Sequence, residues 1–181
     1  MADAADQIQT VGALSDDLRD LGLTPVLVGG MALVIRGSRR VTHDYDFVIT
    51  HPGDRLDRTL DCLYARGLEL VSRVDATGHV LTTIDNRTVA SARLRLDRPA
   101  SAYFYNRGTG LRVDLLFDFP TAAATLASRA VNTRIRSHLF AVASDADLLE
   151  LKRIASAARS VPGDADDIAF LEARLDRARR S

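Results

Sequence analysis

Three aspartates, a glycine pair and a single lysine carry the chemistry that this chain could perform. Asp44 and Asp46 stand two apart in Asp44-Tyr45-Asp46-Phe47-Val48-Ile49. That run alternates like a strand, so the two carboxylates project on one face while Tyr45, Phe47 and Ile49 project on the other. Carboxylates so placed lie about 7 Å apart at Cβ and repel each other, and a shared cation offsets the repulsion. Oxygen-only ligands suit a hard ion such as Mg²⁺, which binds through one or two carboxylates and completes its shell with phosphate oxygens.

Upstream, Val26-Leu27-Val28, introduced by Pro25, reads as a short buried strand that stops at Gly29-Gly30. Met31 to Ile35 then reads as a short buried helix opening from that turn. A strand end, two glycines and a helix start aim backbone N–H groups at one point, where a phosphate meets no Cβ. Phosphate cradle and paired acids together address a metal–nucleotide.

Downstream, Leu111 to Asp118 alternates so that Arg112, Asp114, Leu116 and Asp118 share a face. Apolar neighbours bury Asp114 at least in part, and a buried carboxylate requires a cation or an Arg partner, for which Arg112 and Arg95 are the candidates. Lys152 stands out by composition: of the 24 basic residues it is the only lysine. A compact ammonium at one position among so many guanidinium groups marks a place where a point charge matters.

The order Gly29-Gly30, then Arg40-x-Thr42-x-Asp44-x-Asp46 with thirteen residues between Gly30 and Asp44, resembles the nucleotidyltransferase fold of the DNA polymerase beta-like superfamily. In particular it is similar to the small bacterial abortive-infection (AbiEii-like, type IV toxin) nucleotidyltransferases, which carry Gly-Gly-x-Ala and Arg-x-Thr-x-Asp-x-Asp. Met31 departs from that pattern, because many relatives have Ser there and its hydroxyl assists the phosphates. The resemblance spans roughly Val26 to Leu171 and continues in Lys152, Arg159 and the Asp164-x-x-Asp167 helix start. It implies that Asp114 is the third metal-binding acid, with Asp118 as fallback, and that Lys152 and one of the two late acids contribute to activity. Without it, Asp164 reads as a helix cap and Asp167 as an ion-pair partner of Arg159.

What the resemblance implies as a whole is Mg²⁺-dependent transfer of a nucleoside monophosphate from an NTP to a hydroxyl acceptor, with two ions and Mn²⁺ as a substitute. Asp44, Asp46 and Asp114 would hold the metal, and Gly29, Gly30, Arg40, Thr42, Lys152, Asp164 and Asp167 the nucleotide. The acceptor is left open between tRNA or other RNA, a protein and a small molecule. A toxin role implies an antitoxin partner. Two rivals remain: a non-catalytic module of the same fold that binds nucleotide or a partner protein, favoured by Met31, and a structural domain whose acids are all paired with Arg.

Composition is ordinary for a soluble globular protein. With 24 acidic and 24 basic residues in 181, no global field draws nucleic acid to the chain. Cys62 is the only cysteine, which excludes an internal disulfide and a thiolate cluster. The four histidines show neither zinc spacing nor a Ser/His/Asp order. No apolar run reaches about 18 residues and the first residues show no basic segment followed by an apolar one, so the expectation is a cytoplasmic protein with neither a membrane span nor a secretory signal and no membrane partner.

The elements that must position these residues follow from periodicity. Ile8, Val11, Leu14, Leu18 and Leu21 stripe a first helix that Gly22 closes, and Leu56, Leu60, Leu63 and Tyr64 stripe another. Leu68–Val74, Val80–Ile84, Val89–Leu96 and Ala102–Tyr105 read as strands, and 134–139 as an edge strand. Thr121–Ala130 is helical. Ser144-x-x-Asp147 opens a helix with its stripe on Leu148, Leu151, Ala155 and Ala158, Val161-Pro162-Gly163 breaks it, and Ile168, Leu171 and Leu175 line the last one. The expected fold is α+β: a nucleotidyltransferase-like mixed β-sheet flanked by helices, as one domain over 1–181. Its catalytic core covers about 23–120, and a helical C-terminal part covers about 121–181.

Overall fold

A computed structural model describes residues 4–158 and 163–180. In chain order the elements are α1 (Ala4–Asp20), β1 (Val26–Val28), α2 (Gly29–Ile35), β2 (Asp44–Ile49), α3 (Leu56–Tyr64), β3 (Glu69–Val74) and β4 (Val80–Ile84). Then come α4 (Arg87–Asp97), β5 (Ser101–Tyr105), β6 (Arg112–Phe117), α5 (Ala123–Arg129), β7 (Val131–Ile135), β8 (His138–Val142), α6 (Asp145–Ala158) and α7 (Asp164–Arg180). The strands form one mixed sheet in the order β4-β3-β5-β6-β2-β1-β8-β7. β2 runs parallel to β6 and β1 parallel to β8, while β1–β2 and β5–β6 are antiparallel. The expected α+β architecture is therefore present.

Period-two alternation divides the central strands into two faces. Leu70, Phe104, Val113, Leu115, Tyr45 and Phe47 are buried in one contiguous apolar core. The residues between them, Asp44, Asp46, Arg112, Asp114, Tyr103, Tyr105 and Glu69, are only partly buried. Helix α1 contributes Val11, Leu14 and Leu18 to the core, as its stripe requires, and ends where Gly22 adopts φ +74° and the N–H of Leu23 donates to the Leu18 carbonyl. Phe104, fully enclosed at mid-core, is a direct test of this packing. Phe104→Ala is expected to lower stability to urea by about 3–5 kcal/mol through lost burial and the cavity left behind.

One expected strand is a helix. Val89–Leu96 lies within α4, which Asn86 caps by accepting the Val89 N–H on its side chain at 3.1 Å. The alternation of Arg93 and Arg95 with Leu94 and Leu96 suggested a strand, yet Leu96 is 80% exposed, and the residues that enter the core are Ala90, Ser91 and Leu94 at helical spacing. Helix α6 begins at Ser144 as its capping pattern predicts, the Asp147 N–H donating to Ser144 Oγ at 3.1 Å. Its stripe is shifted, with Leu148 and Leu149 buried and Ala158 exposed. The expected break at Val161-Pro162 and the Arg159 partner lie outside the described residues. No helix of the described residues is long and apolar enough to cross a membrane.

Candidate active site on the open face of the sheet

The register of β2 and β6 decides how the acids meet. The Cα partner of Asp46 is Asp114, and that of Asp44 is Arg112. Directly paired residues project to the same side, so Asp44, Asp46 and Asp114 share the partly buried face on adjacent strands about 4.8 Å apart. Each of the two arginines considered from sequence has another carboxylate beside it. Arg112 Nη1 stands 3.6 Å from Asp44 Oδ1, and Arg95 pairs with Asp57 at 2.8 Å. Asp118 is not a substitute ligand, because its two carboxylate oxygens accept the N–H groups of His51 and Ala123, each at 2.8 Å.

Chain direction brings the glycine turn to the same place. β1 ends with Val28 opposite Asp46, and Gly29 follows at φ +66°, a conformation that favours glycine. A Cβ on Gly29 would overlap the Asp46 carboxylate, and one on Gly30 would stand 3.0 Å from Arg40 Cζ and from Thr42 Oγ1. The glycines thus allow the protein's own Asp46, Arg40 and Thr42 to close on the turn, a tighter use than the open phosphate cradle expected from sequence. Gly29→Ala is expected to displace the Asp46 side chain and cost about 1–2 kcal/mol from the left-handed backbone alone. Denaturation and nucleotide binding of the variant measure the two effects separately.

The late residues also assemble, around one another. Lys152 Nζ contacts Asp164 Oδ1 at 3.1 Å and Asp167 Oδ2 at 2.7 Å, and the guanidinium of Arg40 pairs with the same Asp167 oxygen. Asp164 and Asp167 are 7% and 4% exposed, so this is a nearly buried, charge-balanced group of two acids and two cations. It ties α6 and the first turn of α7 to the loop that covers Gly30. Lys152 therefore serves two carboxylates and does not extend freely into the site.

Sequence reasoning did not foresee three arrangements around these residues. Asp145 joins Arg36, 3.4 Å away, to Arg174, which donates to it at 2.9 Å and to the Arg36 carbonyl at 2.9 Å, a second charged tie between α2, α6 and α7. Arg112 lies 6.0 Å from the Tyr105 ring centre as well as beside Asp44. Tyr103 is the Cα partner of Asp114, and burial, opposed by Arg112 and reinforced by Asp44 and Asp114, pushes its phenol up to about 12. Only the β5–β6 register reveals Tyr103, and that register is not written in any local motif.

Among the described residues, no three His, Cys, Asp or Glu side chains are drawn together closely enough to hold a metal ion as they stand. The donor set nevertheless fits a hard cation. It is all carboxylate, and the buried Asp44 Oδ1 has, among the described residues, no hydrogen bond and only the Arg112 guanidinium, 3.6 Å away, as a cationic partner, a place that a closer hard cation would take.

Similarity to known proteins lies in three dimensions. No protein-family model matches the sequence, and no curated protein sequence is significantly similar to it. The antibiotic-resistance factor ANT(2'')-Ia, a nucleotidyltransferase, superposes with a TM-score of 0.58 over 94% of this chain and 83% of its own, at 10% identity. TM1012 of Thermotoga maritima, assigned as a nucleotidyltransferase, superposes with a TM-score of 0.51 over 87% of this chain and 91% of its own, at 12% identity. The chain has the nucleotidyltransferase fold. Within that nucleotidyltransferase fold, the acids of β2 and β6 and the glycine turn after β1 occupy one end of the open face.

Proposed function

We propose that the chain is a Mg²⁺-dependent nucleotidyltransferase that moves a nucleoside monophosphate from an NTP to an acceptor hydroxyl and releases pyrophosphate. One observation carries the reading: Asp46 and Asp114 are register partners on parallel strands, with the Asp46 carboxylate seated over Gly29. Asp44, Asp46 and Asp114 would hold the metal, Asp44 by releasing Arg112. The ion would neutralise phosphate charge and lower the pKa of an attacking hydroxyl.

The chain's own residues do the positioning. The Gly29–Gly30 turn fixes the Asp46 side chain, and Arg40 and Thr42 hold the turn in place. Arg40 lies against Gly30, and Lys152 shares the Asp167 carboxylate with it, so a bound triphosphate would draw on these two cations in competition with Asp164 and Asp167. The acceptor hydroxyl approaches over β6 and β5, the side of Asp114 away from the glycines. That acceptor is an RNA end, a protein or a small molecule. The AbiEii-like pattern of Arg40-x-Thr42-x-Asp44-x-Asp46 supports a toxin role with a cognate antitoxin.

A second reading, a non-catalytic nucleotide-binding module, has one observation in its favour. Lys152 and Arg40 are both engaged by acids of α7, and Met31 supplies no hydroxyl. Incubation with the four α-labelled NTPs, Mg²⁺ and a cell extract separates the readings. Label on a macromolecule or metabolite that depends on Asp46 supports transfer, and calorimetric binding without any label supports the module.

A further inference from the structure

On the far side of Asp114 from the glycine turn, strand register brings up a hydroxyl of the protein itself. Tyr103 pairs with Asp114, Asp114 with Asp46, and Asp46 with Val28, the residue before Gly29. Strand spacing of about 4.8 Å makes Tyr103, Asp114 and Asp46 one straight row across three strands, on one face. Arg112, Asp44 and Asp114 all act electrostatically on the phenol, which therefore stands near the acid row. Beyond the Leu70–Phe104 pair, β3 and β5 part, and a cavity of about 280 Å³ opens beside Tyr103, lined also by Val71, Leu94 and Ser101. Tyr105 faces Arg112 instead.

We propose that Tyr103 is itself an acceptor, so that the chain nucleotidylates its own Tyr103 when an NTP is bound and no external acceptor is present. This inference rests on the transferase reading above and adds the substrate of that same site. In the step, Tyr103 Oη attacks the α-phosphorus and an Oη–Pα bond forms. The bond from Pα to the oxygen bridging to the β-phosphate breaks, pyrophosphate leaves, and the phenolic proton passes to solvent; nothing is oxidised or reduced. The adduct then occupies the face on which any other acceptor must land, which limits turnover.

The test is intact-mass measurement of the full chain after incubation with Mg²⁺ and each of the four NTPs, with peptide mapping of any adduct and calorimetry of Mg²⁺–NTP binding on the same samples. The expected result is one nucleoside monophosphate per chain on Tyr103, lost completely in Tyr103→Phe, which keeps the native circular dichroism, and lost in Asp46→Asn. Binding without a mass gain, a gain that persists in Tyr103→Phe, or a gain that maps to Tyr105 overturns the Tyr103 assignment and leaves the transferase reading standing. Neither binding nor mass gain with any NTP overturns both.

Discussion

Asp46→Asn is expected to lower nucleotide transfer by about a thousandfold or more while leaving the chain folded. The change removes one of the two register-paired carboxylates, and several kcal/mol of transition-state stabilisation by a bound ion disappear with it, each 1.36 kcal/mol being about tenfold in rate. Stability is expected to hold or to rise slightly, because Asn keeps the shape over Gly29 and relieves repulsion from Asp44 and Asp114 on the same face. Rate by release of labelled pyrophosphate and midpoint by urea denaturation give the two numbers. A variant that loses activity only because it unfolds would contradict the assignment of Asp46 to chemistry.

Asp167→Ala is expected to have the largest effect on stability of any charged substitution outside the acid row. Its carboxylate is 4% exposed and accepts both Lys152 and Arg40. Without it two cations face each other with only Asp164 between them, and an uncompensated buried charge costs about 3–5 kcal/mol. Lys152 and Arg40 are 16% and 32% exposed at the side chain, so solvent returns part of this and about 2–4 kcal/mol is the expected loss. A double-mutant cycle with Arg40→Ala measures the coupling. A loss below about 1 kcal/mol would mean that the network behaves like a surface pair and does not hold α7 to the glycine turn. The nucleotide KM should rise in the same variant, since Arg40 covers Gly30.

How far the sequence was legible differs between elements for physical reasons. The Asp44 strand and the Ser144 helix start are local: two or three neighbouring residues define their geometry, and the structure has both where they were expected, whereas Gly29 and Gly30, expected as a turn before the helix, are the first residues of α2. The α+β class followed from them. Arg87–Asp97 misled because Arg-Leu-Arg-Leu alternates while lying on a helix, where Leu96 faces water and Leu94 the core. That Asp114 shares a face with Asp46 was expected, but the partner of Arg112 was not. The contact of Arg112 with Asp44 depends on side-chain reach across a parallel pair, which alternation cannot specify. Lys152 was singled out by its rarity. Its pairing with Asp164 and Asp167 needs the angle between α6 and α7, which is set by long-range packing. Tyr103 escaped because nothing in its own neighbourhood marks it.

Titration of the chain with Mn²⁺ in the presence of a non-hydrolysable NTP analogue, followed by electron paramagnetic resonance, tests the acid row most directly. The expected result is saturable Mn²⁺ binding that displaces with Mg²⁺ and weakens at least tenfold in both Asp46→Asn and Asp114→Asn, the loss of a ligand charge at one shared ion. Equal binding by the native chain and both variants, or no binding at all, would contradict a shared metal site between β2 and β6.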